Sequence, residues 1–426
     1  MSATLISETG DKVTIQITIP KSNSILEMEE FIQSGVNEVG MLATQKALEH
    51  FDTDGSPIKF GDTKLTSKGQ SPKEYQTPYG VAIVNRHVYQ TSEGGTTYCP
   101  MEIDAKIIIT STPKFAKTLS SKYAEFGAGR VMIDLEQNHG RKVHKSFIQN
   151  VVDVVASVAL IKEESWTYSH PKLEEKVASM SFGIDGTCVH MSDDGWRETM
   201  VGTLGFYNKN GDRLYTVYTA ATPQYGKEKF LERMELEINR AKEIYPKAFT
   251  MGIADGAKSN WPFLEKHTDT QILDFFHAIE YLGKASETGF KASQSQEKAE
   301  WMDDLCHKLK HNKSGPSNVI KAMEVLLQQK LSEEKIEKIQ SAMTYFKNNK
   351  HRMAYAEQVN NNLPIGSGIT EAACKVIVKQ RLCSSGMRWK EEGAQAVLAL
   401  RTLSYTTERW SQFWNKIDRY GLPLGA

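Results

Sequence analysis

Three acidic residues carry the chemistry that this sequence is equipped to do. Asp185 lies in SFGIDGT, Asp255 in MGIADGA and Glu371 in PIGSGITEAACK, each among small residues of the kind that end a strand or open a helix. Carboxylates gathered from separate elements repel one another and raise each other's pKa unless a cation neutralises them. Hard oxygen donors select Mg²⁺ or Mn²⁺, and such ions act on phosphoryl groups. The expectation is a divalent-metal site for phosphoryl transfer on nucleic acid. Each acid also has a plainer reading: Asp185 and Asp255 beside glycine as turn formers, and Glu371 as an acid favoured by a helix N-terminus.

The elements that must position these acids are legible as periodicities. Met180 to Cys188, Glu198 to Tyr207 and Arg213 to Ala220 read as three successive strands, with turns at Asp193-Asp194-Gly195 and at 208–212. Lys227 to Tyr245 carries Phe230, Met234, Ile238, Ala241 and Tyr245 along one helical stripe, and Ala248 to Ala254 is a fourth strand ending at Asp255. Three antiparallel strands, a crossover helix and a parallel strand make an α/β, RNase H-like order, with the first acid on the first strand and the second at the end of the fourth. A fifth short strand, Gln271 to Leu273, leads into Asp274 and His277 and then into helix as far as Val359. Glu371 follows so far behind Asp255 that this helical stretch reads as an insertion. Ser367 or Thr370 is expected to cap a helix beginning at Glu371. Trp301, inside the insertion, is read as a buried ring in preference to a stacking wedge for a flipped base.

Upstream, Val13, Ile15, Ile17 and Ile19 alternate like a half-buried strand, Ile25 to His50 has helical spacing, and Phe51 to Pro78, rich in Gly, Pro, Lys and Thr, reads as a linker or long loop. Strand character resumes from Gly80 to Tyr89. Three helices are expected over 114–126, 129–138 and 145–161, a helix-turn-helix-like trio. The resulting division is 1–76 (strand, helix and linker), 77–175 (a mostly helical DNA-binding region), 176–274 (first part of the catalytic core), 275–362 (all-helical insertion) and 363–426 (second part, with the catalytic helix).

A chain of 426 residues exceeds one compact core, and its formal charge is zero. The neutrality hides segregation. Through residue 54 nine acids face only Lys12, Lys21 and Lys46, whereas from 114 to 145 seven bases, among them Arg141, Lys142 and Lys145, oppose three acids. From 371 to 419 nine bases, including Lys375, Lys379, Arg381 and Arg388, oppose five acids. The two basic tracts are candidate phosphate-facing surfaces. Trp410 and Trp414, four apart, are expected to pack the last helix against the sheet. Five cysteines without a CxxC pair fit reduced thiols, and neither a bilayer-length apolar run nor a signal-peptide pattern is present, so a soluble cytoplasmic protein without membrane contact is expected.

Taken in order, GIDGT, IADGA with Trp261 after it, DFFHAIEYL, YFKNNKHRMAY, LPIGSGITEAACK, QRLCSSGMRW, EEGAQAVLALR and ERWSQFW resemble DDE transposases of the bacterial ISKra-type insertion-sequence family. RHVYQ, TPKFAK and NHGR extend the resemblance, which spans Thr77 to Trp414. The Asp274-x-x-His277 element is similar to the C/DxxH that Mutator and hAT-like transposases place before their helical insertion. The resemblance implies that Asp185, Asp255 and Glu371 are the catalytic acids and hold two Mg²⁺ ions, with Mn²⁺ able to substitute. It implies Asp274 and His277 as their supporting residues, and terminal inverted repeats and target DNA as partners. Synapsis of two ends requires at least a homodimer, and a bacterial, nucleoid-associated setting follows. The rival expectations are an RNase H-like nuclease that cuts without strand transfer, and a catalytically silent, domesticated DNA-binding protein.

Overall fold

The computed structural model describes residues 2–10, 12–60, 63–163 and 165–422. They fall into two compact units, one comprising the chain to residue 169 with 399–404 and the segment from 408 onward, the other 170–398 with 405–407.

In the first unit, β1 (Ser2–Thr9) and β2 (Lys12–Thr18) form an antiparallel pair. They pack on α1 (Ile25–Glu49), whose start is fixed by Ser24 Oγ accepting the Glu27 amide. A four-stranded antiparallel sheet follows, in the order β3 (Ile58–Phe60), β4 (Thr63–Gln76), β5 (Val81–Thr91), β6 (Gly94–Tyr98). The expected linker over 51–78 is thereby corrected, since most of it is strand. Its Pro72 is opposite Asn85 of β5, beyond the reach of the short β3 pairing, so the missing N–H faces an open sheet edge where proline is tolerated. A register shift between Ser67 and Gln70 breaks the alternation that would have marked the strand. After α2 (Pro100–Asp104) come α3 (Pro113–Glu125), α4 (Ala128–His139) and α5 (Lys145–Ile161), the expected trio, packed through Phe115, Leu119, Val131, Leu135, Ile148, Val151 and Val155.

The second unit is built on a mixed five-stranded sheet. Its strands are β7 (Ser179–Met191), β8 (Gly195–Tyr207) and β9 (Arg213–Ala221), then α6 (Lys227–Ile244), β10 (Phe249–Ala254), α7 (Trp261–His267) and β11 (Thr270–Leu273). The spatial order is β11-β10-β7-β8-β9, antiparallel among β7, β8 and β9 and parallel among β7, β10 and β11. Phe230, Met234, Ile238 and Ala241 of α6 are fully buried in one core with Phe182, Leu204, Val217 and Ile272, each large side chain contributing roughly 1.5–3 kcal/mol by burial. Five helices separate β11 from the next segment: α8 (Phe275–Gly289), α9 (Ser295–His311), α10 (Gly315–Leu326), α11 (Glu333–Asn349) and α12 (Tyr355–Asn360). Trp301 of α9 is half-buried edge-on to Phe290, at 5.7 Å between ring centroids.

A helical run over residues 368–382 returns the chain to the sheet as α13 (Gly368–Ala373), a π-helical turn (Cys374–Lys379) and α14 (Gln380–Leu382). It begins three residues before the expected start at Glu371. Ser367 is its N-cap, but by its carbonyl, which accepts the Thr370 and Glu371 amides; the Thr370 side chain is not a cap. The chain ends with α15 (Glu391–Tyr405) and α16 (Arg409–Tyr420). Trp410 and Trp414 belong to a ring cluster in the first unit. There the two indoles meet at 5.9 Å and the intervening Phe413 meets Trp166 at 5.8 Å. Among the described residues no helix is long and apolar enough to cross a membrane.

Candidate functional site

Asp185 and Asp255 are brought together by strand register. The parallel pairing of β10 with β7 runs from Phe249 opposite Ser179 to Ile253 opposite Gly183, and each strand reaches its acid two residues later. The Asp255 turn is held by its own Oδ1, which accepts the Ala257 amide at 3.0 Å, and by Gly256, whose φ of +106° a side chain would disfavour. Asn260, buried beyond that turn, donates to the Ile184 carbonyl at 3.4 Å and so ties the Asp255 loop to the residue before Asp185. Tyr345 of α11 donates its hydroxyl to the Asp255 carbonyl at 3.0 Å. Burial first, then the charges of Tyr281, Asp255 and Asp274, push that phenol up, so it stays a proton donor.

Glu371 reaches the same place from the helical run, which packs on β7 and β8. Its Oε1 accepts Ser367 Oγ at 3.2 Å and lies 3.7 Å from His277 Nδ1. Cys374, three residues on, donates its thiol to Asp185 Oδ2 at 3.4 Å. Burial, then the Asp185 charge and hydrogen bond, with Glu371 adding less, push the Cys374 thiol up, so it is a neutral donor that ties the Glu371 helical run to Asp185.

Asp274 is fully buried at the end of β11, and both of its oxygens are occupied. Oδ1 accepts the His277 amide at 2.7 Å and His277 Nδ1 at 3.2 Å, capping α8, while Oδ2 accepts the Ser367 amide. One carboxylate therefore joins the β11–α8 corner to the loop that launches the Glu371 helix. Burial works to lower the His277 pKa, but the hydrogen bond and charge of Asp274, followed by the charge of Asp255, outweigh it and raise the imidazole above its ordinary value. When protonated, the ring places a positive charge 3.7 Å from Glu371.

Among the described residues the group of three ligand-type side chains whose donor atoms lie within 4.8 Å of one another is Asp274, His277 and Glu371. Asp185 and Asp255 are outside it, so the expected trio is not drawn to that mutual distance; carboxylates with no cation between them repel one another. The group itself is a poor ligand set, because both Asp274 oxygens are taken by protein donors and His277 Nδ1 is turned toward Asp274. The acids fit a hard cation better. Asp255 Oδ2 and Glu371 Oε2 accept no hydrogen bond among the described residues, and all three carboxylates are partly or fully open to solvent.

The residues expected to meet phosphate divide. Arg141 is buried in the first unit, where Nε donates to the Thr77 carbonyl at 3.0 Å, a terminal nitrogen donates to Gln76 Oε1 at 2.8 Å, and the guanidinium lies 5.3 Å from the Phe115 ring centre. Arg381 is buried with its guanidinium 5.0 Å from the Trp389 ring centre. Both are structural in this conformation, against the expectation, because a planar cation with apolar faces packs well on an aromatic ring. Lys142 and Lys145 are exposed at the α5 N-terminus, Lys142 with Glu136 at 3.4 Å, and Lys375, Lys379 and Arg388 are exposed in the second unit.

Sequence reasoning missed Ser367 and Cys374 as partners of the acids, and Tyr345. Cys374 had a local signal, three residues from Glu371 on one helical face; Tyr345, 90 residues from Asp255, had none. Against this geometry, no protein-family model matches the sequence, and a search of curated proteins finds no match either.

Proposed function

We propose that this protein is a DNA transposase with an RNase H-like core, in which Asp185, Asp255 and Glu371 hold two divalent metal ions. The observation that carries the reading is the five-strand order with Asp185 and Asp255 two residues past the last paired positions of adjacent parallel strands, and Glu371 on a helix packed against the same strand. A pair of divalent ions would be shared among carboxylates that need not all lie within one ion's reach, which suits acids outside a single-ion cage.

When bound, Mg²⁺ would supply Lewis acidity at the scissile phosphate and lower the pKa of the attacking hydroxyl. The chain's own residues do the positioning. Asp274 fixes the Glu371 loop, Cys374 and the Gly186 amide orient the Asp185 carboxylate, and His277, its pKa raised by Asp274, would when protonated offset negative charge developing beside Glu371. Lys375, Lys379 and Arg388 would hold phosphates flanking the cut, and Lys142 and Lys145 would contact the element ends. Lysines at a helix N-terminus oppose the helix dipole, a cost that an anionic partner removes. Two copies would bring two ends together.

The test is strand transfer with Mg²⁺ on DNA carrying the native element ends. Joined product supports the proposal. Hydrolysis without joining points to a nuclease, and end binding indifferent to metal and to loss of the acids points to a DNA-binding protein.

A further inference from the structure

The residue before Glu371 makes a close contact between its helix and the sheet. Thr370 and Thr203 are both almost completely buried, and their hydroxyls hydrogen-bond at 2.8 Å. Thr203 of β8 stands directly opposite Gly183 of β7, which lies two residues before Asp185 and also opposite Ile253, two residues before Asp255. Gly183 has no side chain at the point where the helix arrives. A Cβ there would overlap Thr370 Oγ1 and come 3.1 Å from Thr203 Oγ1. The neighbouring row repeats the device, because a Cβ at Gly205 of β8 would lie 2.9 Å from Ile369 Cδ1. Two glycines on adjacent strands thus let the first turn of the helix settle onto the sheet backbone, and one hydroxyl pair fixes where it settles.

We propose that the Thr370–Thr203 pair, seated over Gly183, is the positioning device that sets the reach of Glu371 toward Asp185 and Asp255. This rests on the three acids forming one metal site. Apolar contacts alone would let the helix slide or lift by fractions of an ångström, whereas a directional hydrogen bond in a buried row does not. Glu371 follows Thr370 immediately, so a displacement of Thr370 is passed to the carboxylate without an intervening hinge.

The experiment measures Mn²⁺ affinity by electron paramagnetic resonance, DNA cleavage as separate kcat and KM, and thermal melting, on the full chain. Thr370→Val and Gly183→Ala are expected to weaken Mn²⁺ binding and lower kcat by about 10- to 100-fold, as residues that orient metal ligands do, with KM for DNA unchanged. Thr370→Ser keeps the hydroxyl and is expected to keep the affinity. The double variant Thr203→Val/Thr370→Val leaves no buried hydroxyl unpaired, so its melting temperature recovers relative to either single variant while its Mn²⁺ affinity stays low. A purely stabilising role predicts that both recover together, and that result overturns the proposal, as does wild-type Mn²⁺ affinity in folded Thr370→Val and Gly183→Ala. Wild-type Mn²⁺ binding indifferent to Glu371→Ala would bring down the metal-acid reading itself, and this proposal with it.

Discussion

Replacing Asp274 with alanine is the sharpest test of how the acids are supported. Its carboxylate accepts three donors, the amides of His277 and Ser367 and the His277 imidazole, and the residue has no exposed surface. Truncation leaves the two amides without an acceptor in a buried corner, at about 1–3 kcal/mol for each donor left unmade. Loss of the α8 cap is part of the same effect, since the His277 amide is the capped group. The imidazole is partly exposed and water can serve it. A total of roughly 2–6 kcal/mol follows, and at about 2–4 °C per kcal/mol for a body of this size the second unit should melt roughly 4–24 °C lower. Asp274→Asn keeps one acceptor oxygen but aims an amide nitrogen at a donor, and should fall between wild type and alanine. Differential scanning calorimetry on the full chain reads this directly. The gap should already be present without Mg²⁺, because Asp274 has protein partners and no metal. An alanine variant melting within about 1 °C of wild type would refute the account, and a gap that opens only when Mg²⁺ is present would make Asp274 a ligand instead.

Three further expectations follow from the same geometry. Asp185→Ala, Asp255→Ala and Glu371→Ala should each cut cleavage by on the order of 10³-fold or more, since a lost metal ligand removes several kcal/mol of charge stabilisation, with end binding retained; cleavage assays beside gel-shift titrations check this, and turnover in any one variant removes that acid from the site. Lys142→Ala and Lys145→Ala should each make the slope of log affinity against log salt shallower by about 0.9, whereas Arg141→Ala should lower the melting temperature of the first unit and leave the slope alone. In the first unit, burial raises the Glu102 pKa, but hydrogen bonds from Lys73 and Tyr75 and the charges of Lys73 and Arg86 overcome it and hold the carboxylate below its ordinary value. A depressed acid stabilises the fold above the ordinary carboxylate pKa and loses that contribution as pH falls through the folded value. Wild type should therefore lose melting temperature faster than Glu102→Gln between about pH 5 and pH 3, and parallel curves would argue against the ion cluster.

What the sequence determined by itself is what local periodicity and local chemistry encode. The strands β7, β8 and β9 were legible as short apolar runs bounded by turn residues, and the stripe along α6 and the trio α3 to α5 because helical burial repeats at its own period, whatever lies against it. The end of β10 at Asp255 was legible too, as was the place of Asp185 on β7, although that strand runs on to Met191. Tertiary structure decided the rest. Thr63–Gln76 is a strand only because β5 supplies its hydrogen bonds, and its Pro72 and register shift erase the local signal. Arg141 and Arg381 look like phosphate ligands in the chain and become buried packing residues once Gln76, Phe115 and Trp389 surround them. The supports of the acids span long separations: Asp274 to Ser367 across 93 residues, Thr203 to Thr370 across 167, Asp185 to Cys374 across 189. A carboxylate's identity is written in one residue, but its orientation belongs to the partners that folding delivers, and no local pattern names them.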